Sequence, residues 1–169
     1  MNPCSPIAIG MIFLRPSCVF LLGVLSSTLL SPAMIEVGWA ATEILDVTLA
    51  HDVKDREPAA PYAPQAFCEK DQNRNGVLPR IQTSDQQIVF WNRIAASDST
   101  KIRHSWHKRA DDGWKLMAHV DLPILKSSSF RIWSTKDLHP TFHRGEWMIV
   151  VTLSDDPKKV LCITRFIVE

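Results

Sequence analysis

The sequence predicts an all-β fold, an immunoglobulin-like antiparallel β-sandwich of about seven strands standing after an N-terminal signal segment. Three observations carry this. Seven runs of strand length are rich in β-branched and aromatic residues. Clusters of Ser, Asp, Gly and Pro separate most of them. No segment sustains the 3.6-residue apolar period of an amphipathic helix.

The first element is the leader. Residues 18–34 read CVFLLGVLSSTLLSPAM, uncharged, with Arg15 just before them. That run suits the apolar region of a signal peptide and is short for a membrane span, which takes about 20 apolar residues. Gly38-Trp39-Ala40 sets small residues three and one before a cut. Residues 1–40 are therefore read as a signal peptide or membrane anchor, with Met1 or Met11 as the start. Residues 41–169 are read as the folded domain, exported to the periplasm or cell envelope. Any membrane contact is expected only through an uncleaved leader.

Within the domain, 43–49 (EILDVTL) alternates apolar and polar residues and predicts a first strand. Residues 52–87 then change character. Pro58, Pro61, Pro64 and Pro79 interrupt regular structure, and the reading is a long irregular loop. Strands are expected at 88–94 (IVFWNRI), 101–108 (KIRHSWHK), 114–122 (WKLMAHVDL), 130–135 (FRIWST), 146–154 (EWMIVVTLS) and 160–168 (VLCITRFIV). With the first run these make about seven, the number of an immunoglobulin-like sandwich. Alternation puts Ile102, His104 and Trp106 in one row, Trp147, Ile149, Val151 and Leu153 in another, and Trp114, Leu116, Ala118, Val120 and Leu122 in a third. These rows are the expected inner face.

Composition narrows the function. The formal charge is +1 over 169 residues, so no broad field draws nucleic acid. Six glycines in the whole chain, and no phosphate-cradling loop, argue against a nucleotide site of the usual kind. There is no G-x-S-x-G elbow and no H-E-x-x-H pair. Ser105 next to His104 makes no catalytic couple, because neighbours in a strand face opposite ways. His104 and His107 are three apart and likewise diverge, while His139 and His143 fall in a Pro-containing loop. Zinc needs three or four converging ligands, and no such spacing is present. Asp71-x-Asn73-x-Asn75-Gly76 resembles the start of a calcium loop, but its twelfth position is Gln82, so an Asn-Gly turn is the better reading. No cofactor and no metal are expected.

DREP at 55–58, FWNRI at 90–94, IRHSW at 102–106, FRIWSTK at 130–136, GEW at 145–147 and the closing Val160, Leu161, Phe166 and Val168 come in an order that resembles a bacterial domain-of-unknown-function family, DUF2914. The resemblance runs from about Ile44 to Val168. It implies a β-rich envelope domain with no established activity or catalytic residue. The stretch between DREP and FWNRI looks longer than the family pattern and contains Cys68.

The candidate site is a ligand-binding one. Trp133 stands among Arg131, Ser134 and Lys136, a polar setting for a partly exposed ring, and Trp91 is a second candidate. Arg131, Lys136, Arg144, Arg103, His107, Lys108 and Arg109 form a possible anion-contacting strip. Once the leader is removed only Cys68 and Cys162 remain, and an oxidising compartment lets them pair. The expected function is a non-catalytic envelope module that binds a protein or a glycan. The alternatives are a hydrolase or metal-dependent enzyme using the loop histidines, and a purely structural assembly domain.

Overall fold

The computed structural model describes residues 42–63, 65–69 and 77–169. The leader and the 71–76 turn motif lie outside these residues. The described chain is a two-sheet β-sandwich of nine strands, with one 3-10 turn, Thr83–Asp85, as its sole helical element. The strands are β1 (Thr42–Lys54), β2 (Glu57–Pro61), β3 (Arg80–Ile81), β4 (Gln87–Ala96), β5 (Thr100–Ala110), β6 (Gly113–Ile124), β7 (Ser127–Asp137), β8 (Gly145–Leu153) and β9 (Val160–Val168). One sheet has the order β2-β1-β4-β7 and the other β3-β9-β8-β5-β6. Every pairing is antiparallel except the short β3–β9 contact.

The core comes from alternate residues of facing strands. Ile102, His104 and Trp106 of β5, and Trp147, Ile149 and Val151 of β8, are buried as the alternation predicts. Ile88, Phe90 and Ile94 of β4 join them in the core. Phe90 meets His104 and Trp106 edge-on, at 5.0 and 6.4 Å between ring centres. Trp147 stacks on Phe166 at 6.3 Å.

Of the third expected inner row only Leu122 packs against the core. Trp114 and Val120 are only half-buried, Ala118 is exposed, and Leu116 is 51% exposed. β6 is the outermost strand of its sheet, with neighbours on one side only. A bulge opposite Trp106 and His107 also inserts Met117, which moves Leu116 and Trp114 out of phase with Ala118 and Val120. Trp114 lies under two guanidinium groups, Arg109 and Arg165, instead of in the core.

The stretch 52–87, expected to be irregular, holds more order than its prolines suggest. β1 continues to Lys54 and turns into β2 through Asp55 and Arg56, with φ of 51° and 66°. Lys54 faces Glu57 across this two-residue turn. Two positive φ values are the mark of a type I′ hairpin, which matches the twist of the strands it joins. DREP is thus the hairpin tip and the start of β2.

The two long sides of the sandwich are finished differently. On the β1/β9 side, residues 65–69 run between the sheets. The Glu69 N–H donates to the Ile163 carbonyl at 2.7 Å, and Thr164 Oγ1 donates to the Phe67 carbonyl at 3.1 Å. Cys68 and Cys162 form a disulfide there, with Cα atoms 5.1 Å apart. On the other side β6 and β7 are both edge strands and leave a cleft between them.

Candidate functional site

The candidate site is the outer face of the β2-β1-β4-β7 sheet. Trp91 of β4 and Trp133 of β7 are directly paired across that sheet. Arg131 is two residues from Trp133 and so shares its face. Its Nε meets Glu57 Oε1 of β2 at 2.5 Å, and its carbonyl accepts a 3.5 Å bond from Arg56. Arg56 also holds its guanidinium 5.8 Å from the centre of the Phe130 ring. Residues from DREP, FWNRI and FRIWSTK therefore converge on one surface.

The two tryptophans differ in kind. Trp133 is 37% exposed, whereas Trp91 is 3% exposed. The cover on Trp91 comes from the hairpin, whose Arg56 carbonyl accepts the indole N–H at 2.9 Å. Trp91 is thus a wall of the site and Trp133 its open ring.

Beside Trp91 lies a groove of about 400 Å³, lined by Asp46, Thr48, Glu57, Pro58, Tyr62 and Gln65 among others. Its donors and acceptors are carboxylate, amide and hydroxyl groups. Tyr62 donates to Asp85 Oδ2 at 3.0 Å and contacts His51 Nδ1 at 3.2 Å. Burial, and then the bond to Asp85, raise the Tyr62 phenol well above its ordinary range. It is a fixed hydrogen-bonding group, not a titrating one.

Lys136 does not belong to this face. It is three residues from Trp133, so it projects to the opposite side of β7, where its ammonium stands 5.5 Å from the Trp147 ring centre. The expected basic strip is likewise divided. Arg103 is bound to Asp121 by two bonds of 2.7 and 2.9 Å, which hold the Asp121 carboxyl down at about 2. Arg109 packs on Trp114, and Lys108 donates to the Phe142 carbonyl at 2.5 Å.

The histidines are dispersed. His104 is fully buried, with Nδ1 2.8 Å from Ser134 Oγ, and burial pushes its pKa down to about 3. His143 Nδ1 accepts the His139 N–H at 2.8 Å, and His139 Nδ1 accepts the Thr141 N–H at 3.2 Å. The Nδ1 atom of each loop imidazole is thus engaged within its own loop. Among the described residues, no three His, Cys, Asp or Glu side chains are grouped to hold a metal ion.

Sequence reasoning missed Tyr62, Glu57 and Gln65. Pro58, Pro61 and Pro64 suggested irregular chain there, but the positive-φ hairpin at Asp55-Arg56 brings 57–62 back beside β1.

No curated protein matches the chain. Among solved structures it is similar to the crystal structure of Bifidobacterium adolescentis GH3 beta-glucosidase, at 9% identity and a TM-score of 0.37, over 77% of this chain and 17% of that one. The chain spans less than a fifth of that enzyme's length. A likeness this weak carries no argument about activity. Residues 99–168 match the family model DUF2914, described as a protein of unknown function. The match begins after DREP and FWNRI, so it is shorter than the motif order implied. The matched residues run from β5 to β9, and over that stretch the chain is similar to the DUF2914 family.

Proposed function

We propose that the chain is a non-catalytic binding module of the bacterial cell envelope that takes a glycan on the outer face of its β2-β1-β4-β7 sheet. The observation that carries this is the exposed Trp133 ring, set across the strand pair from Trp91 and its groove. A flat indole suits the apolar face of a sugar, and the Asp46, Thr48, Glu57 and Gln65 side chains suit its hydroxyls. Export after loss of the leader is part of the proposal, supported by the apolar run at 18–34 and by the Cys68–Cys162 bridge.

The sandwich is read as immunoglobulin-like. Support comes from β4 lying between β1 and β7, and from β9 lying between β8 and a short parallel β3. The enzymatic alternative has less support, because the Nδ1 atoms of both loop histidines accept bonds from their own loop and no metal-holding group of side chains is found among the described residues.

A glycan array probed with chain 41–169 tests the reading. The expected result is a glycan hit that Trp133→Ala abolishes without lowering the melting temperature appreciably. Absence of any hit, with a protein captured from envelope extract through β6 instead, would favour the assembly reading. One observation supports that second reading: β6 is an edge strand with Leu116 and Met117 exposed at 51% and 43%.

A further inference from the structure

The open side of the sandwich holds a second cavity, remote in role from the Trp133 face. It has a volume of about 370 Å³. Trp106 of β5 lines it, with Ala118, His119 and Val120 of β6, Thr135, Lys136 and Asp137 of β7, and His143. The other side of the sandwich is filled by residues 65–69, so this gap between edge strands is a property of one side only.

The cavity has a mixed lining, with Trp106, Ala118 and Val120 beside polar groups, and its Lys136 has no ion-pair partner among the described residues. Ion pairs between described residues include Arg80–Glu169, Arg93–Asp46, Arg103–Asp121, Arg131–Glu57 and Arg165–Glu69. Lys136 is in none of them. The residue is half-buried and its ammonium stands over Trp147, whose own N–H is tied to the His143 carbonyl at 2.6 Å. Lys108 is a second cation nearby without a carboxylate partner, bonded only to the Phe142 carbonyl. Burial, followed by the charges of Lys136, Lys108 and His139, lowers the His143 pKa, in keeping with a positive local field. Asp137 is the one carboxylate on the rim.

A cleft of this kind takes a ligand that is apolar at one end and anionic at the other. The apolar end replaces water against Trp106, Ala118 and Val120, and the anion supplies the charge that Lys136 lacks. We infer that the β6/β7 cleft is a binding site for a small organic carboxylate with a short, flat apolar body, its carboxylate on Lys136.

The test uses 3-phenylpropionate, with 3-phenylpropanol as the uncharged control, followed by amide NMR shifts on chain 41–169. The acid should move the signals of Ala118, His119, Val120, Thr135 and Asp137. It should bind more tightly than the alcohol, by about fivefold at low salt. Lys136→Met should erase that preference, and Lys136→Arg should keep it. Shifts confined to other residues would overturn the inference. So would equal binding of acid and alcohol, or a Lys136→Met protein that keeps the preference. A glycan interaction at Trp133 is unaffected by any of these outcomes.

Discussion

Trp91 and Trp133 are paired residue to residue across β4 and β7, yet one ring is 3% exposed and the other 37%. The hairpin tip at Asp55-Arg56 makes the difference, because its Arg56 carbonyl caps the Trp91 indole and leaves Trp133 open. The mutational contrast is between Trp133 and Trp147, the latter stacked on Phe166 and bonded to the His143 carbonyl. Trp147→Ala should cost about 3–5 kcal/mol, as for a large buried aromatic. Trp133→Ala should cost less than about 2 kcal/mol. Urea unfolding of both variants checks this, and equal large losses would make Trp133 a core residue.

His104 should make the domain acid-sensitive. It is neutral in the fold because burial lowers its pKa to about 3, whereas the unfolded chain protonates it near its ordinary value of 6.5. The unfolded state then binds the extra proton between those values. Its stabilising effect is complete above about pH 6.5 and declines toward pH 3, by roughly 1 kcal/mol per pH unit. Denaturant melts at several pH values should show this slope, and His104→Phe should flatten it.

The Cys68–Cys162 bridge joins positions 94 residues apart. Its removal by Cys162→Ala should destabilise the domain by about 2–5 kcal/mol. Thiol labelling of unfolded, unreduced chain 41–169 should find no free cysteine. Two labelled thiols would show that the bridge is not formed in the isolated protein.

The leader should be removed near Ala40, since Gly38-Trp39-Ala40 follows the uncharged run and Thr42 already belongs to β1. Intact mass of the exported protein should give a chain starting at Ala41 or Thr42. Full-length protein held in the inner membrane would contradict this.

Where both flanks of a strand are paired, its alternation was readable. Ile102, His104 and Trp106 of β5, and Trp147, Ile149 and Val151 of β8, lie in the interior as their period indicates. The same period misled for β6, because alternation reports which residues share a face, not whether another sheet covers that face. Trp133 was legible through its polar neighbours, Arg131 and Thr135. Trp91 was not, since its cover is supplied by Arg56, 35 residues away. Lys136 was grouped with Trp133 by proximity in sequence, although an odd spacing in a strand means opposite faces. The cleft was invisible because it depends on two edges meeting across the gap between sheets.

A sandwich closed along one side and open along the other has a built-in axis for breathing. The strap at 65–69 and the Cys68–Cys162 bridge hold the β1/β9 side as a spine. Opening fluctuations are therefore borne by β6 and β7, whose outward backbone groups face solvent. Amide protons there should exchange before those of β8 and β9. A ligand filling the gap would slow them, much as a bookmark keeps two covers at a set distance.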